Sequence, residues 1–176
     1  MRRFWRDAAG RGMFSKSIRR VICLLKVIGA LLLILSGTLA GFMESHKLAL
    51  RADRLGAFVR FLAAAQTEIR FSALPVEQIV RRHGGELPFL TQCAQRCADG
   101  ADFESAWENA VDGDALREGF RKKDAALLKS FGSGFGTSDT EGQLAHCGLY
   151  RALFESCLKS AEEDRARKSR LYLMLG

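Results

Sequence analysis

The sequence predicts an all-α protein: an antiparallel bundle of about six helices, preceded by an N-terminal transmembrane helix. Three observations predict it. Val27 to Met43 is a run of seventeen residues without a charge. Leu48, Leu55, Leu62 and Ile69 recur every seven residues, with Phe58 and Val59 between them, which is one apolar face of a long helix. No alternating run of β-branched residues is long enough for a strand.

The first element is the membrane segment. A bilayer core takes about 20 mostly apolar residues in a helix. Residues 21–25, VICLL, precede the uncharged run and are separated from it only by Lys26. That ammonium sits near one end, where it snorkels to the headgroups. Residues 21–43 are therefore long enough to span, with Val27, Leu31, Leu33, Leu35 and Phe42 as anchor residues. A secretory signal peptide has a shorter apolar core, about 7–15 residues, and ends in a cleavage site. Here helical periodicity continues directly past the run.

Charge divides the chain the same way. Eight of its 27 Lys and Arg residues and one of its 20 acids, Asp7, lie in residues 1–26, so this stretch carries all of the formal +7. The remainder is neutral, with 19 of each sign. Residues 1–20 are thus a basic extension, and residues 44–176 are a helical-bundle domain of ordinary single-domain size. A sequence pI near 9.5 invites a nucleic-acid reading. A basic tail beside an apolar helix instead matches anionic lipid headgroups. The bilayer is the expected partner, and nucleic acid is not.

Within the bundle the elements follow in order. The heptad helix ends at Ser72. Pro75 opens a short helix carrying Val76, Ile79 and Val80, which His83-Gly84-Gly85 ends. Pro88 opens another, to about Ala98. Asp102 caps a third short helix, Phe103 to Val111, in which Trp107 is a core anchor. Asp114 caps a longer helix whose face is Leu116, Phe120, Leu127 and Phe131, broken by Gly132, Gly134 and Gly136. Ser138 with Glu141 reads as a capping box for the last long helix. Its face is Tyr150, Leu153, Phe154, Cys157, Leu158 and Ala161. Glu163 with Arg167, and Asp164 with Lys168, support its solvated end.

Chemistry-bearing patterns are few. Gly132-Ser133-Gly134-Phe135-Gly136 superficially resembles a phosphate loop. Such loops follow a strand and open a helix beside a placed lysine. This one follows a helix, so it reads as a helix–helix turn needing positive φ and close backbone approach. The five cysteines, Cys23, Cys93, Cys97, Cys147 and Cys157, match no zinc-finger or ribbon spacing. They read as small buried hydrophobes in a reducing compartment. His146 and Cys147 are adjacent on a helix and point about 100° apart, so they do not form a nucleophile–base pair. No catalytic residue, metal site or cofactor is expected. The competing reading is a membrane-tethered helical enzyme or metal-binding protein that uses Cys93, Cys97, Cys147 and the histidines.

A set of short motifs, taken in order, carries a family resemblance. They are Lys26-Val27-Ile28-Gly29-Ala30; Arg51 and Arg54-Leu55; Glu68-Ile69-Arg70-Phe71 before Pro75-Val76; and Ala106-Trp107. The most specific is Leu128, Phe131-Gly132, Gly136, Asp139, Gln143 and His146. It fits an FG-x-x-LG-x-x-D-x-x-x-Q pattern with Phe135 in place of the leucine, and Lys168 and Arg170 suit a basic close. Over residues 26–176 the chain resembles the stage III sporulation protein AB family, a component of the channel apparatus built between mother cell and forespore. That family normally ends in a second membrane helix, of which Leu171 to Gly176 looks like the threshold. It usually lacks the basic extension, so Met13 or a later codon is a candidate start.

The resemblance implies a non-enzymatic assembly scaffold, similar in its soluble part to the helical platform domains of type II secretion systems. It implies a place in the mother-cell membrane around the forespore, with the bundle in the cytosol. The positive-inside rule applied to the basic tail would put the bundle on the other side. Expected partners are the other stage III sporulation A proteins, including the ATPase of the apparatus, with no small-molecule substrate. Candidate partner-binding residues are Arg51, Arg54, Glu68, Phe131, Gly132, Gly136, Asp139, Gln143 and His146, with a groove beside the glycine-rich turn. Each also has a plain structural reading: Phe131 as core, the glycines as turn formers and Asp139 as a first-turn acid favoured by the helix dipole.

Overall fold

The structure, a computed structural model, describes the backbone at residues 7–72 and 74–175 and side chains at 25–33, 35–36, 46–72 and 74–168. The described residues are all-α, with six α-helices, one 3-10 turn and one π turn. The chain divides into two compact units, Met1–Glu44 and Ser45–Gly176.

In the first unit the described side chains belong to α1 (Asp7–Phe71). Leu25, Val27, Ile28, Leu31, Leu32, Leu33 and Leu35 are each 53–74% exposed. Consecutive helical residues point about 100° apart, so exposure at 31, 32 and 33 covers most of the circumference. Among the described residues no helix is long and apolar enough to cross a membrane. Much of the expected span 21–43, Phe42 included, lies outside the residues with described side chains.

The second unit takes the rest of α1 together with α2 (Val76–His83), the 3-10 turn Gly84–Glu86, α3 (Pro88–Ala98), α4 (Phe103–Ala110), the π turn Val111–Ala115, α5 (Lys122–Gly134) and α6 (Thr140–Leu175). The heptad stripe does what its spacing predicts: Leu48, Leu55, Leu62 and Ile69 are all buried. Phe58 on α1 is the hub. Its ring lies 6.2 Å from Phe89 on α3, 6.4 Å from Trp107 on α4, 5.7 Å from Phe131 on α5 and 4.6 Å from Phe154 on α6. One aromatic from each of these helices therefore meets the same α1 position. Such pairs contribute about 0.5–1.5 kcal/mol each beyond the area they bury.

Pro75 and Pro88 stand at helix starts, and Asp102 caps α4 by accepting the Ser105 N–H at 3.0 Å. Four details differ from the sequence reading. The helix expected from Asp114 through Phe131 is two pieces, because the backbone turns at Gly119 (φ +104°) so that Phe120 meets Phe89 edge-on at 5.8 Å. Leu116 is consequently exposed. Gly132 and Gly134 lie inside α5 rather than breaking it, and Gly136 (φ +91°) makes the turn. Asp139, not Ser138, caps α6, by accepting the Gly142 N–H at 2.9 Å. Leu153 lies on the outer flank of α6 and is exposed.

Candidate functional site

The turn between α5 and α6 gathers most of the residues that the pattern singled out. Phe131 is fully buried, stacked on the His146 ring at 5.2 Å and 4.7 Å from Phe135. His146 Nε2 reaches the Phe131 carbonyl at 2.9 Å, so one side chain both stacks on α5 and closes one of its last carbonyls. Gly132 has no room for a side chain: a Cβ there would overlap Cδ1 and Nε1 of Trp107. That closeness lets Trp107 Nε1 donate to the Leu128 carbonyl at 2.8 Å. Gly134 is a second contact glycine, since a Cβ would stand 2.5 Å from His146 Cε1.

Gln143 clamps the turn. Its Oε1 accepts the Gly136 N–H at 2.9 Å, while Nε2 donates to the Gly134 carbonyl at 3.2 Å and to Ser138 Oγ at 2.9 Å. A buried amide that satisfies three partners fixes a loop more tightly than a surface hydrogen bond does. The phosphate-loop pattern is thus a helix–helix turn whose backbone groups are spent on its own side chains.

The three candidates from α1 lie elsewhere and are not brought together with the turn. Arg51 makes a buried bidentate pair with Asp124, with Nε and Nη2 each 2.8 Å from a carboxylate oxygen. That hydrogen bonding raises the guanidinium pKa further, against the opposing effect of burial. Asp124 also accepts the Arg121 N–H at 2.8 Å, so one carboxylate closes the start of α5 and its junction with α1. Arg54 Nη1 donates to the Glu86 carbonyl at 2.8 Å. Glu68 accepts from Arg82 at 3.2 Å and meets His83 Nε2 at 2.9 Å, tying the end of α1 to α2. The hydrogen bonds from His83 and Ser72 hold its carboxyl below the usual range.

Beside the turn lies an open groove of about 370 Å³. Ile69, Leu74 and Val76 form its apolar wall, and Glu77, Thr140 and Gln143 its polar one. Of the nine candidates, Gly136 and Gln143 line it. Sequence reasoning placed a groove at this turn but not the α1–α2 corner that supplies its other side. The corner was marked by Ser72, Pro75 and the motif around Ile69 and Val76, but nothing local tells that it faces the α5–α6 turn. Asp124, the partner of Arg51, was likewise missed; its position three residues after Arg121 is the only local sign of a cap.

Among the described residues Cys93 and Cys97 neighbour each other one turn apart on α3, while Cys147 and Cys157 lie on α6. Burial pushes the Cys93 and Cys147 thiols up to about 12. Cys97 and Cys157 are half-buried, and His83 and His146 are engaged as described. Among the described residues no group of three or more His, Cys, Asp or Glu side chains is placed to hold a metal.

No curated protein and no solved structure matches the chain. The family model for stage III sporulation protein AB matches residues 26–176, nearly the whole of it and the same stretch that carries the ordered motifs. The chain belongs to the stage III sporulation protein AB family, and its role is in sporulation.

Proposed function

We propose that the protein is a non-enzymatic, membrane-anchored assembly component of the channel apparatus between mother cell and forespore. The observation that carries this reading is the all-round exposure of the apolar side chains Leu25, Val27, Ile28, Leu31, Leu32, Leu33 and Leu35. A helix apolar on every side is stable only inside a core or a bilayer. These residues lie on α1, the helix that also supplies the central stripe of the bundle core. The anchor runs over residues 21–43, and the bundle faces the mother-cell cytosol.

Docking falls to the groove beside the α5–α6 turn. Its apolar wall and polar rim suit a side chain of another stage III sporulation A protein, the ATPase of the apparatus included. Membrane tethering raises the effective concentration of such a partner, so a modest interface suffices. The supporting geometry is the rigidity of the floor: Gln143 and Asp139 hold the turn with four hydrogen bonds.

The test uses exposed groove residues, because Phe131 and Gly132 are core and their loss would unfold the site. Glu77→Lys combined with Thr140→Lys should lower spore yield and co-purification of the other apparatus proteins. Helical content and accumulation of the variant should match the wild type. Normal spore yield with unchanged partners would remove the groove from the account.

A further inference from the structure

Between α4 and α5, residues 111–121 leave the α-helical pattern. The π turn Val111–Ala115 is followed by a turn held by three backbone hydrogen bonds: Glu118 N–H to the Asp114 carbonyl at 2.9 Å, Phe120 N–H to the Ala115 carbonyl at 3.1 Å and a long one, Gly119 N–H to the Leu116 carbonyl at 3.4 Å. The turn lies flat on α1; a Cβ at Gly119 would stand 3.0 Å from Leu50 Cγ. Its one large buried side chain is Phe120, edge-on to Phe89.

Inside this contact sits a carboxyl group that does not suit its place. Both oxygens of Glu118 are buried and neither accepts a hydrogen bond of good geometry. The Nε of Arg54 is buried without a partner as well, its Nη1 being spent on the Glu86 carbonyl. Two groups favour the charged form of Glu118: first the Phe89 N–H in the first turn of α3, which approaches the carboxyl without reaching good hydrogen-bond geometry, and then the Arg54 guanidinium from α1. Asp114, from its own segment, opposes it. Neighbouring charges are committed elsewhere, Arg51 to Asp124 and Glu86 to Arg60. Leaving an ionised carboxylate buried and unbonded is costly, whereas a neutral carboxyl costs far less.

We propose that residues 116–121 form a proton-operated latch: neutral Glu118 keeps the segment, and with it Phe120, against α1 and α3, and ionised Glu118 releases it. Burial, the largest influence, pushes this carboxyl up to about 7. The sign follows from linkage. A released Glu118 in water ionises near its ordinary value, so the docked state holds a proton that the released state has lost. Docking is therefore strongest at low pH and weakens as pH rises from the ordinary carboxylate range toward about 7. Release uncovers Phe120 beside the already exposed Leu116, so an apolar patch appears as the proton leaves.

Amide hydrogen exchange on the full chain in detergent tests the latch, after correction for the pH dependence of the intrinsic rate. Protection at residues 116–121 should fall between about pH 5 and about pH 7, by at most about tenfold per pH unit for a single proton. Glu118→Gln, which is neutral at every pH, should keep the segment protected throughout. Arg54→Gln, which removes the favourable cation, should move the wild-type transition to higher pH. Equal protection of the wild type at both pH values overturns the proposal. So does a pH slope that survives in Glu118→Gln, or a transition that moves down in Arg54→Gln.

Discussion

Two kinds of glycine meet in the α5–α6 region, and they are required for different reasons. Gly136 needs its positive φ; Gly132 has ordinary helical geometry and is required only because the Trp107 indole lies on it. Helix propensity alone says that Gly132→Ala should stabilise α5 by up to about 1 kcal/mol. The overlap with the indole decides the other way. The variant must push Trp107 off the Leu128 carbonyl and away from Phe58 and Phe131, and overpacking of this kind costs about 1–3 kcal/mol. The denaturation midpoint of Gly132→Ala should fall accordingly, with a shift in Trp107 fluorescence. An unchanged midpoint would mean that the indole has another place to go. The sequence shows a glycine at 132 and a tryptophan at 107, but nothing local tells that they touch. Arg51 and Asp124 are the same kind of case. Each reads as a surface charge until the fold buries them together, where the cost of desolvation offsets much of their attraction.

Helix starts with a local chemical cause were legible, and those set by tertiary packing were not. Pro75, Pro88 and Asp102 each act within one turn of the helix they open, so the sequence is enough. The break after α4 is different. Leu116, Phe120, Leu127 and Phe131 keep helical spacing, yet the chain turns at Gly119 because Phe120 gains more by packing on Phe89 than by continuing the stripe. At α6 the two acceptors Ser138 and Asp139 are adjacent, and Gln143 decides between them. It takes the Ser138 hydroxyl for the turn and leaves the cap to Asp139. Asp139→Ala should therefore lose about 0.5–2 kcal/mol, a normal capping effect. Ser138→Ala should lose less, since the Gln143 amide keeps two other partners. Urea titration of the two variants separates them, and a larger loss at Ser138 would return the cap to that residue.

At the scale of the whole molecule, two populations of apolar side chain coexist on one helix and call for different surroundings. Leu55, Phe58 and Leu62 are covered by the bundle, while Leu25, Val27, Ile28 and Leu31 to Leu33 are more than half exposed. Burying a leucine-sized side chain is worth about 1.5–3 kcal/mol. Six such residues left in water are a large unfavourable load, which a bilayer removes. A charge placed near the centre of a spanning helix costs about 2.5–3.5 kcal/mol on insertion scales. Leu31→Arg combined with Leu33→Arg sets about twice that against insertion while touching no residue of the bundle core. The wild-type protein should remain with vesicles through alkaline carbonate, and the double variant should be extracted. Its bundle should keep the wild-type denaturation midpoint, because the core around Phe58 is assembled from other residues. If the double variant sediments with the membranes as the wild type does, this helix is not what holds the protein there. The attachment must then come from the basic extension, and high salt should release it, as it does any headgroup contact made by exposed Lys and Arg.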